Sequence, residues 1–427
     1  MLTLKLLREH TALVIERLAV KHFDATALIG EIINTDDERK ALQTQLDKNL
    51  AEQNTIAKQI GMLMREGKKN EAEAAKQQTS ALKEQSKIWE QQLAATEKKL
   101  DEIIVLLPNL PHATVPPGHT PEDNVVVREG GVKPALPQTL PHWELAAKYD
   151  LIDFDMGVKL TGAGFPVYKG QGAKLQRALV SFFLNANTAA GYLEVQPPLM
   201  VNEASAFGTG QLPDKEGQMY HVAVDNFYLI PTAEVPVTNI YRDVIFNALE
   251  LPIKLTAYTP CFRREAGSYG KDVRGLNRLH QFDKVEIVQF QLPENSYRAL
   301  DEMVAHVEGI IKALELPYRI LRLCGGDMSF HSALTYDFEV YSAAQERWLE
   351  VSSVSNFESF QANRLKARYR DDQKKTQLVH TLNGSALALP RIVAALVENN
   401  QTPEGIRIPA VLQPFIGCEM LFSPSPH

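Results

Sequence analysis

Three cysteines in 427 residues, Cys261, Cys324 and Cys418, are too few, too far apart and odd in number for a disulfide framework or a zinc site. That usage is expected of a protein kept in the reducing cytosol. No apolar run approaches the ~18 residues of a membrane-spanning helix. The opening MLTLKLLREH carries charges inside its apolar stretch, so it does not read as a secretory signal. There is no GxxxxGK[ST] phosphate loop, and Gly162-Ala163-Gly164 lacks the third glycine and the preceding strand of a dinucleotide fingerprint. Any nucleotide must therefore bind on another scaffold. The net charge of −7 argues against a general nucleic-acid binder but leaves room for local basic surfaces. With 44% apolar and 23% charged residues the chain is neither disordered nor fibrous, and its length suggests two or three domains.

Proline is missing from residues 36–107, where the only glycines are Gly61 and Gly67, and Ala, Glu, Gln and Lys dominate. Ala75, Thr79, Leu82, Ser86, Trp89, Leu93, Thr96, Leu100, Ile103 and Leu107 follow a 4-3 spacing. Leu42, Leu46, Asn49, Gln53, Ile56, Ile60 and Leu63 repeat it with two polar positions. This is the seam of a coiled coil. The polar stretch 65–70 reads as a turn, so the pattern predicts an antiparallel hairpin of two long helices standing out as an arm. Between Lys58 and Lys87 seven basic residues (58, 65, 68, 69, 76, 83, 87) face four acidic ones (66, 71, 73, 84), a local +3. Such a surface is either a solvated helical face or a contact for a polyanion.

Pro108, Pro111, Pro116, Pro117 and Pro121 then mark a domain boundary. The expected organisation is a helical arm over 1–107, a linker and lead-in over 108–142, and a mixed α and β domain over 143–427. Helices are expected at 174–186, 302–314, 357–370 and 391–399. Strands are expected at 193–201 (broken by Pro197-Pro198), 256–265, 278–291, 337–341, 347–353 and 377–389. Strands that follow one another in hairpins imply an α+β fold, an antiparallel sheet flanked by helices.

The densest polar constellation is TPCFRREAGSYGKDVRGLNRLHQFDKVEIVQF, residues 259–290. Alternation puts Arg263 and Glu265 on one face of the first strand, and Phe282, Lys284 and Glu286 on one face of the second. Residues 263–284 hold six basic and three acidic side chains. An exposed charged hairpin is the plain alternative. An Arg, a Glu and an aromatic in one concave face would instead suit a phosphate, an amine and a flat base. His280 could serve as a base or only as a structural or nucleotide contact.

FRREAG with the following RLHQFDKVE resembles motif 2 of the class II aminoacyl-tRNA synthetases, and in its wording the seryl-tRNA synthetases. GYLEVQPPLMV (191–201) is similar to motif 1, LIPTAEVP (229–236) to the serine-binding segment, LEVSSVSNF (349–357) to the metal and ATP segment, and LNGSALALPR (382–391) to motif 3. The helical arm is itself a feature of that family. The resemblance implies ATP-dependent activation of L-serine to seryl-adenylate and its transfer to tRNA(Ser), and to selenocysteine tRNA where present, by a cytoplasmic homodimer with no membrane contact.

It implies catalytic roles for Arg263, Glu350 and Arg391. ATP would be bound by Arg263, Arg264, Glu265, Leu279, His280, Gln281, Phe282, Glu350, Val351, Ser352, Ser353 and Arg391. Serine would be bound by Thr232, Ala233, Glu234, Arg263, Glu286, Asn383 and Ser385, and Mg²⁺ by Glu350 and Ser353. Arg263 would clamp the α-phosphate and the serine carboxylate, with Phe282 and Arg391 on the two faces of the adenine. The family commonly has glycines where this chain has Ala386 and Pro390; Pro390 is harmless if it opens the last helix, whereas Ala386 is strained if its backbone must be left-handed. Two other readings stay open. A ligase that charges a carrier protein is disfavoured by the arm. A non-enzymatic coiled-coil adaptor is disfavoured by intact Arg263, Glu265, Glu286 and Glu350.

Overall fold

The computed structural model describes residues 1–136, 139–214, 216–265 and 274–422. Lys271 and Asp272 of the charged segment lie outside the described residues. Two compact units are present: residues 1–19 with 23–108, and residues 20–22 with 109 onward. Among the described residues no helix is long and apolar enough to cross a membrane.

In the first unit α1 (Leu4–Glu9) and α2 (Thr11–Ala19) precede the long helices α3 (Thr26–Arg65) and α4 (Lys69–Ile104). At 40 and 36 residues these run roughly 60 and 54 Å at 1.5 Å per residue. They lie side by side in opposite directions: Lys99 reaches Glu31 (3.0 Å), Gln78 reaches Glu52 (3.3 Å), and Gln53 reaches Ser86 (2.8 Å). Gly67, at φ +77°, makes the turn between them. The 4-3 spacing holds. Leu46, Asn49 and Ile56 of α3 and Ser86, Leu93, Thr96 and Leu100 of α4 are buried in the seam. Its polar positions satisfy one another, for Gln53 donates to Asn49 (2.6 Å) and Ser86 donates to Asn49 (3.0 Å). At the other end Asp36 is buried, and Arg8, Arg39 and Lys40 converge on it at 2.6–2.8 Å. Burial alone would raise its carboxyl, but these hydrogen bonds hold it down to about 2. The basic residues of the distal hairpin are all exposed.

The second unit is built on eight strands: β1 (Val125–Gly130), β2 (Leu193–Glu194), β3 (Ile253–Phe262), β4 (Gln281–Gln291), β5 (Tyr318–Arg322), β6 (Leu334–Ser342), β7 (Arg347–Glu358) and β8 (His380–Ala388). Their order is β1-β5-β6-β7-β8-β4-β3-β2, antiparallel throughout except for the short parallel pair β2/β3. Helices α5 (His142–Lys148), α6 (Gly170–Ala189), α7 (Ser296–Ala313), α8 (Ser359–Leu365) and α9 (Leu389–Asn399) pack against the sheet or its connections. Alternation along β4 sends Val285 and Ile287 into the main core with Leu179, Phe183 and Ile392. The opposite face carries Lys284 and Glu286, then Val288 and Phe290, which enter a second core with Ala233, Val237 and Leu365. One face of one strand therefore passes from polar cleft to apolar core within seven residues.

Four expectations change. Within the stretch 108–142, expected as linker and lead-in, residues 109–130 are docked: Asn109 N–H donates to the Phe330 carbonyl (2.9 Å), His112 N–H to that of Ala333 (2.7 Å), and β1 forms a sheet edge against β5. Repeated proline interrupts long helix there without forbidding docked extended chain. The basic helix expected at 357–370 stops at Leu365, because Lys366 turns left-handed (φ +53°). Arg368–Arg370 then pairs in parallel with Ile245–Asn247. Arg364 is buried, donating to the carbonyls of Leu212 (2.9 Å) and Phe207 (3.3 Å) while its guanidinium lies against the rings of Phe207 and Phe360. The strand expected to reach residue 265 ends at Phe262, and its partner starts at Gln281. Finally Ala386 is not left-handed; its side chain is buried in the main core. Pro390 lies in the first turn of α9, where a missing N–H costs nothing.

Candidate active site

A cleft of about 930 Å³ opens over β4, β6, β7 and β8. Of the residues singled out in the sequence, Thr232, Glu234, Arg263, Glu265, Leu279, Phe282, Glu286, Glu350, Val351, Ser352, Ser353, Asn383, Ser385 and Arg391 line it. Four do not. Ala233 is fully buried in the second core. Arg264 contributes its main-chain N–H to the Gln218 carbonyl (2.8 Å). Gln281 is exposed on β4, and His280 is engaged elsewhere, its ring stacked on Phe165 and its Nδ1 2.9 Å from the Tyr220 hydroxyl.

One end of the cleft is a buried charge cluster. Glu286 and Lys284 stand on the same face of β4, with the pairing register shifted between them. Lys284 Nζ lies 2.6 Å from Glu286 Oε2 and 2.7 Å from Thr232 Oγ1, with both charged side chains almost wholly buried. Isolated burial of either charge would be costly, and the pair offsets it. Next to them Glu234 accepts from Gln361 Nε2 (2.6 Å), and Thr381 in turn donates to Gln361 (2.7 Å). Burial, and then the neighbouring Glu286 charge, pushes the Glu234 carboxyl up to about 7. Lys284 and Gln361 were not picked out as site residues from sequence. Lys284 was visible as a neighbour of Glu286 on one strand face, whereas Gln361 lies 127 residues from its partner with no local signal.

Across the floor run Thr335, Ser355 and Asn383, paired in register on β6, β7 and β8. Thr335 and Ser355 hydroxyls are 2.8 Å apart, and Asn383 Nδ2 has no partner among the described residues. A buried unpaired donor on a cleft floor is free to take an acceptor from a ligand. Arg263 borders this end. Its Nε donates to the Pro231 carbonyl (3.3 Å) and its guanidinium lies over the Phe282 ring, 5.1 Å from the centroid.

The other end is walled by Leu276, Asn277, Arg278 and Leu279, and by Arg391. Arg391 donates to the carbonyls of Asn277 (3.0 Å) and Glu350 (2.8 Å), and lies 3.8 Å from the Glu350 carboxylate. Glu265, at φ +48°, pairs with Arg278 (2.7 Å). Asp337, opposite Ser353 on the sheet, keeps Oδ1 without a partner among the described residues; burial and then the charge of Glu350 push its carboxyl well above the usual range. Among the described residues no three His, Cys, Asp or Glu side chains are arranged to enclose a metal ion. Glu350 and Ser353 offer two hard oxygen donors on an open wall. That suits Mg²⁺, which takes few protein ligands and completes its shell with phosphate oxygens and water.

Residues 1–111 match the family model described as seryl-tRNA synthetase N-terminal domain, and residues 220–400 the one described as tRNA synthetase class II core domain (G, H, P, S and T). The serine--tRNA ligase of Salinibacter ruber is 51% identical over 420 residues, covering 98% of both chains. The chain belongs to the seryl-tRNA synthetase family. The Neisseria meningitidis serogroup C serine--tRNA ligase is 47% identical over 426 residues, again covering 98% of each chain. Among solved structures, the seryl-tRNA synthetase of Pyrococcus horikoshii, complexed with ATP, superposes with a TM-score of 0.92 at 30% identity over the full length of both chains. The helical hairpin thus falls within the match to the N-terminal domain model, and strands β3 to β8 of the sheet fall within the match to the class II core model.

Proposed function

We propose that this chain activates L-serine with ATP and transfers it to tRNA(Ser). The observation that carries the reading is the ammonium of Lys284 seated on Glu286 and Thr232 beside Glu234: the buried end of the cleft is built to hold a positively charged amine. Glu286, Glu234 and Thr232 receive the serine ammonium, and Asn383 and Ser385 line the floor on which its side chain rests. Arg263, between this end and the nucleotide wall, holds the serine carboxylate and the α-phosphate together; two anions must be brought into contact, and a rigid guanidinium fork suits that task.

A serine carboxylate oxygen attacks the α-phosphorus, the bond to the β-phosphate oxygen breaks, and pyrophosphate leaves. No base is needed, because the nucleophile is already an anion; rate comes from placement and charge neutralisation. Phe282 and Arg391 border the adenine, with Leu279 and Glu265 beside it. Glu350 and Ser353 are the residues that would hold Mg²⁺, which supplies further neutralisation of the phosphates when bound. The exposed basic tip of the hairpin is the surface for the tRNA backbone. Exposed Leu193, Leu199 and Met200 around the sheet edge at β2 support pairing of two copies through the segment 191–201.

The direct test is ATP–pyrophosphate exchange with the purified chain. Exchange should require serine, with alanine inactive because its side chain leaves the floor's polar groups unpaired, and tRNA(Ser) should then be charged. Exchange driven equally well by alanine, or none at all, would defeat the reading.

A further inference from the structure

One buried polar cluster takes no part in the chemistry above and yet ends on the cleft wall. His142, the first residue of α5, is 1% exposed. The main-chain N–H of Leu276 donates to its Nε2 (2.8 Å), so that nitrogen carries no hydrogen and the proton sits on Nδ1. Nδ1 donates to Glu398 Oε1 (2.7 Å), which also accepts the His142 main-chain N–H (2.9 Å) and Gln345 Nε2 (3.0 Å). Glu398, on α9, is fully buried, and its second oxygen accepts the Ser342 hydroxyl. Gln345 completes the grip by accepting Asn277 Nδ2 (3.0 Å). The residues alongside are shaped to the ring. Gly275 has φ +66°, and a Cβ there would stand 2.2 Å from His142 Nε2. The Arg274 guanidinium lies over Trp143, 4.7 Å from the ring centroid.

We propose that His142 is a positioning residue for the nucleotide end of the cleft, acting through the main chain of Leu276 and the carbonyl of Asn277 on Arg391. The inference rests on the function proposed above for that end. An imidazole accepts on one edge and donates on the other across a rigid ring. It thereby ties the 274–279 segment to α9, the helix that carries Arg391. Arg391 donates to the Asn277 carbonyl, so its direction depends on where residues 276 and 277 are held. Among the described residues none of the cluster's hydrogen bonds reaches Thr232, Glu234, Lys284 or Glu286, so its effect falls on ATP and spares serine.

Two full-length variants separate this role from simple support of the buried Glu398. In His142→Gln the side-chain oxygen reaches the place of Nε2 and still accepts the Leu276 N–H. In His142→Asn the amide still serves Glu398 but falls short of Leu276. The expected result is that His142→Asn raises the ATP KM in serine-dependent exchange by about tenfold, the scale of one lost buried hydrogen bond, with the serine KM within about twofold of the parent. His142→Gln restores most of it. Amide hydrogen exchange across 274–279 should quicken in His142→Asn and not in His142→Gln. Rescue by Asn instead of Gln, or parallel rises in both KM values, overturns the proposal. If His142→Asn does not fold, Gln345→Ala cuts the second hold on Asn277 and should give the same ATP-selective change at smaller size; no change in that variant also overturns it. A parent protein without serine-dependent exchange defeats the functional reading alone, since amide exchange and direct ATP binding still decide the positioning role.

Discussion

The hairpin seam and the cleft floor both bury polar side chains, and they use them in opposite ways. In the seam Asn49, Gln53 and Ser86 bond to one another and Gln53 also to the Leu82 carbonyl, and among the described residues none of the three keeps a buried side-chain atom without a partner. In the cleft, among the described residues, Asn383 Nδ2 on the floor and Asp337 Oδ1 toward the other end are left unpaired. A closed polar cluster costs little and fixes the register of two helices that Leu and Ile alone would let slide. An open one is unfavourable in the free protein and gains only when a ligand completes it. Polar residues kept for structure differ in this way from those kept for binding.

The sharpest way to break the comparison is Glu286→Ala. It removes the carboxylate shared by Lys284 and the proposed substrate amine, a loss of roughly 2–5 kcal/mol, or from about 30-fold to a few thousand-fold. The serine KM should carry it and the ATP KM should hardly move; equal rises in both would disprove the assignment. Adding Lys284→Met should recover folding stability without recovering serine affinity, because the orphaned lysine is then gone.

Arg263→Lys keeps the charge and loses the fork. Activation should slow by on the order of 10²-fold, the scale of one preorganised charge stabiliser. Near-normal pyrophosphate exchange in that variant would remove Arg263 from the α-phosphate.

Shortening the hairpin by replacing residues 56–79 with a Gly/Ser turn keeps the Asn49–Gln53–Ser86 cluster and deletes the basic tip. Exchange should stay within about twofold. Charging should fall by about tenfold or more through the tRNA KM, with a flatter salt dependence, as expected when phosphate contacts are lost. Unchanged charging would make the tip a solvated face and nothing more.

A smaller effect is expected with pH. The Glu234 carboxyl, raised to about 7, is neutral below that value and offers a substrate ammonium no charge. The serine KM should therefore improve severalfold from pH 6 to pH 8. Glu234→Gln should flatten that slope, and a slope that persists unaltered assigns it to another group. The smallest effect on activity is expected of Gln53→Leu, which leaves Asn49 and Ser86 short of a partner. It should lower the stability of the helical unit by about 1–3 kcal/mol and leave exchange untouched; a matching loss of exchange would mean that the seam is not purely structural.

The hairpin was legible because its information is local: a 4-3 spacing, a break at 65–70 and an absence of proline need no distant partner. The two-faced strand β4 was legible for the same reason, since alternation alone puts Lys284 beside Glu286. Strand ends were not. Arg263 and Glu265 lie beyond β3 because the chain leaves the sheet at Phe262, where Glu265 turns left-handed and pairs with Arg278. The helix expected over 357–370 forms only over Ser359–Leu365: its basic pattern reads as a wet face, whereas Arg364 is buried against two carbonyls and the Phe207 ring from elsewhere in the chain and against Phe360 of its own helix.

The sequence by itself determined the helical hairpin with its basic tip, the α+β character of the larger domain, and the types of residue that face the cleft, because periodicity and motif wording act within a few residues. Only the tertiary structure decided the partners. Gln361 under Glu234, Asp337 beside Ser353, and His142 between Leu276 and Glu398 join segments from 16 to 256 residues apart. Burial then sets which of those groups are charged, held or left waiting for a ligand. Such pairings are chosen by the packing of the whole sheet, and no local pattern carries them.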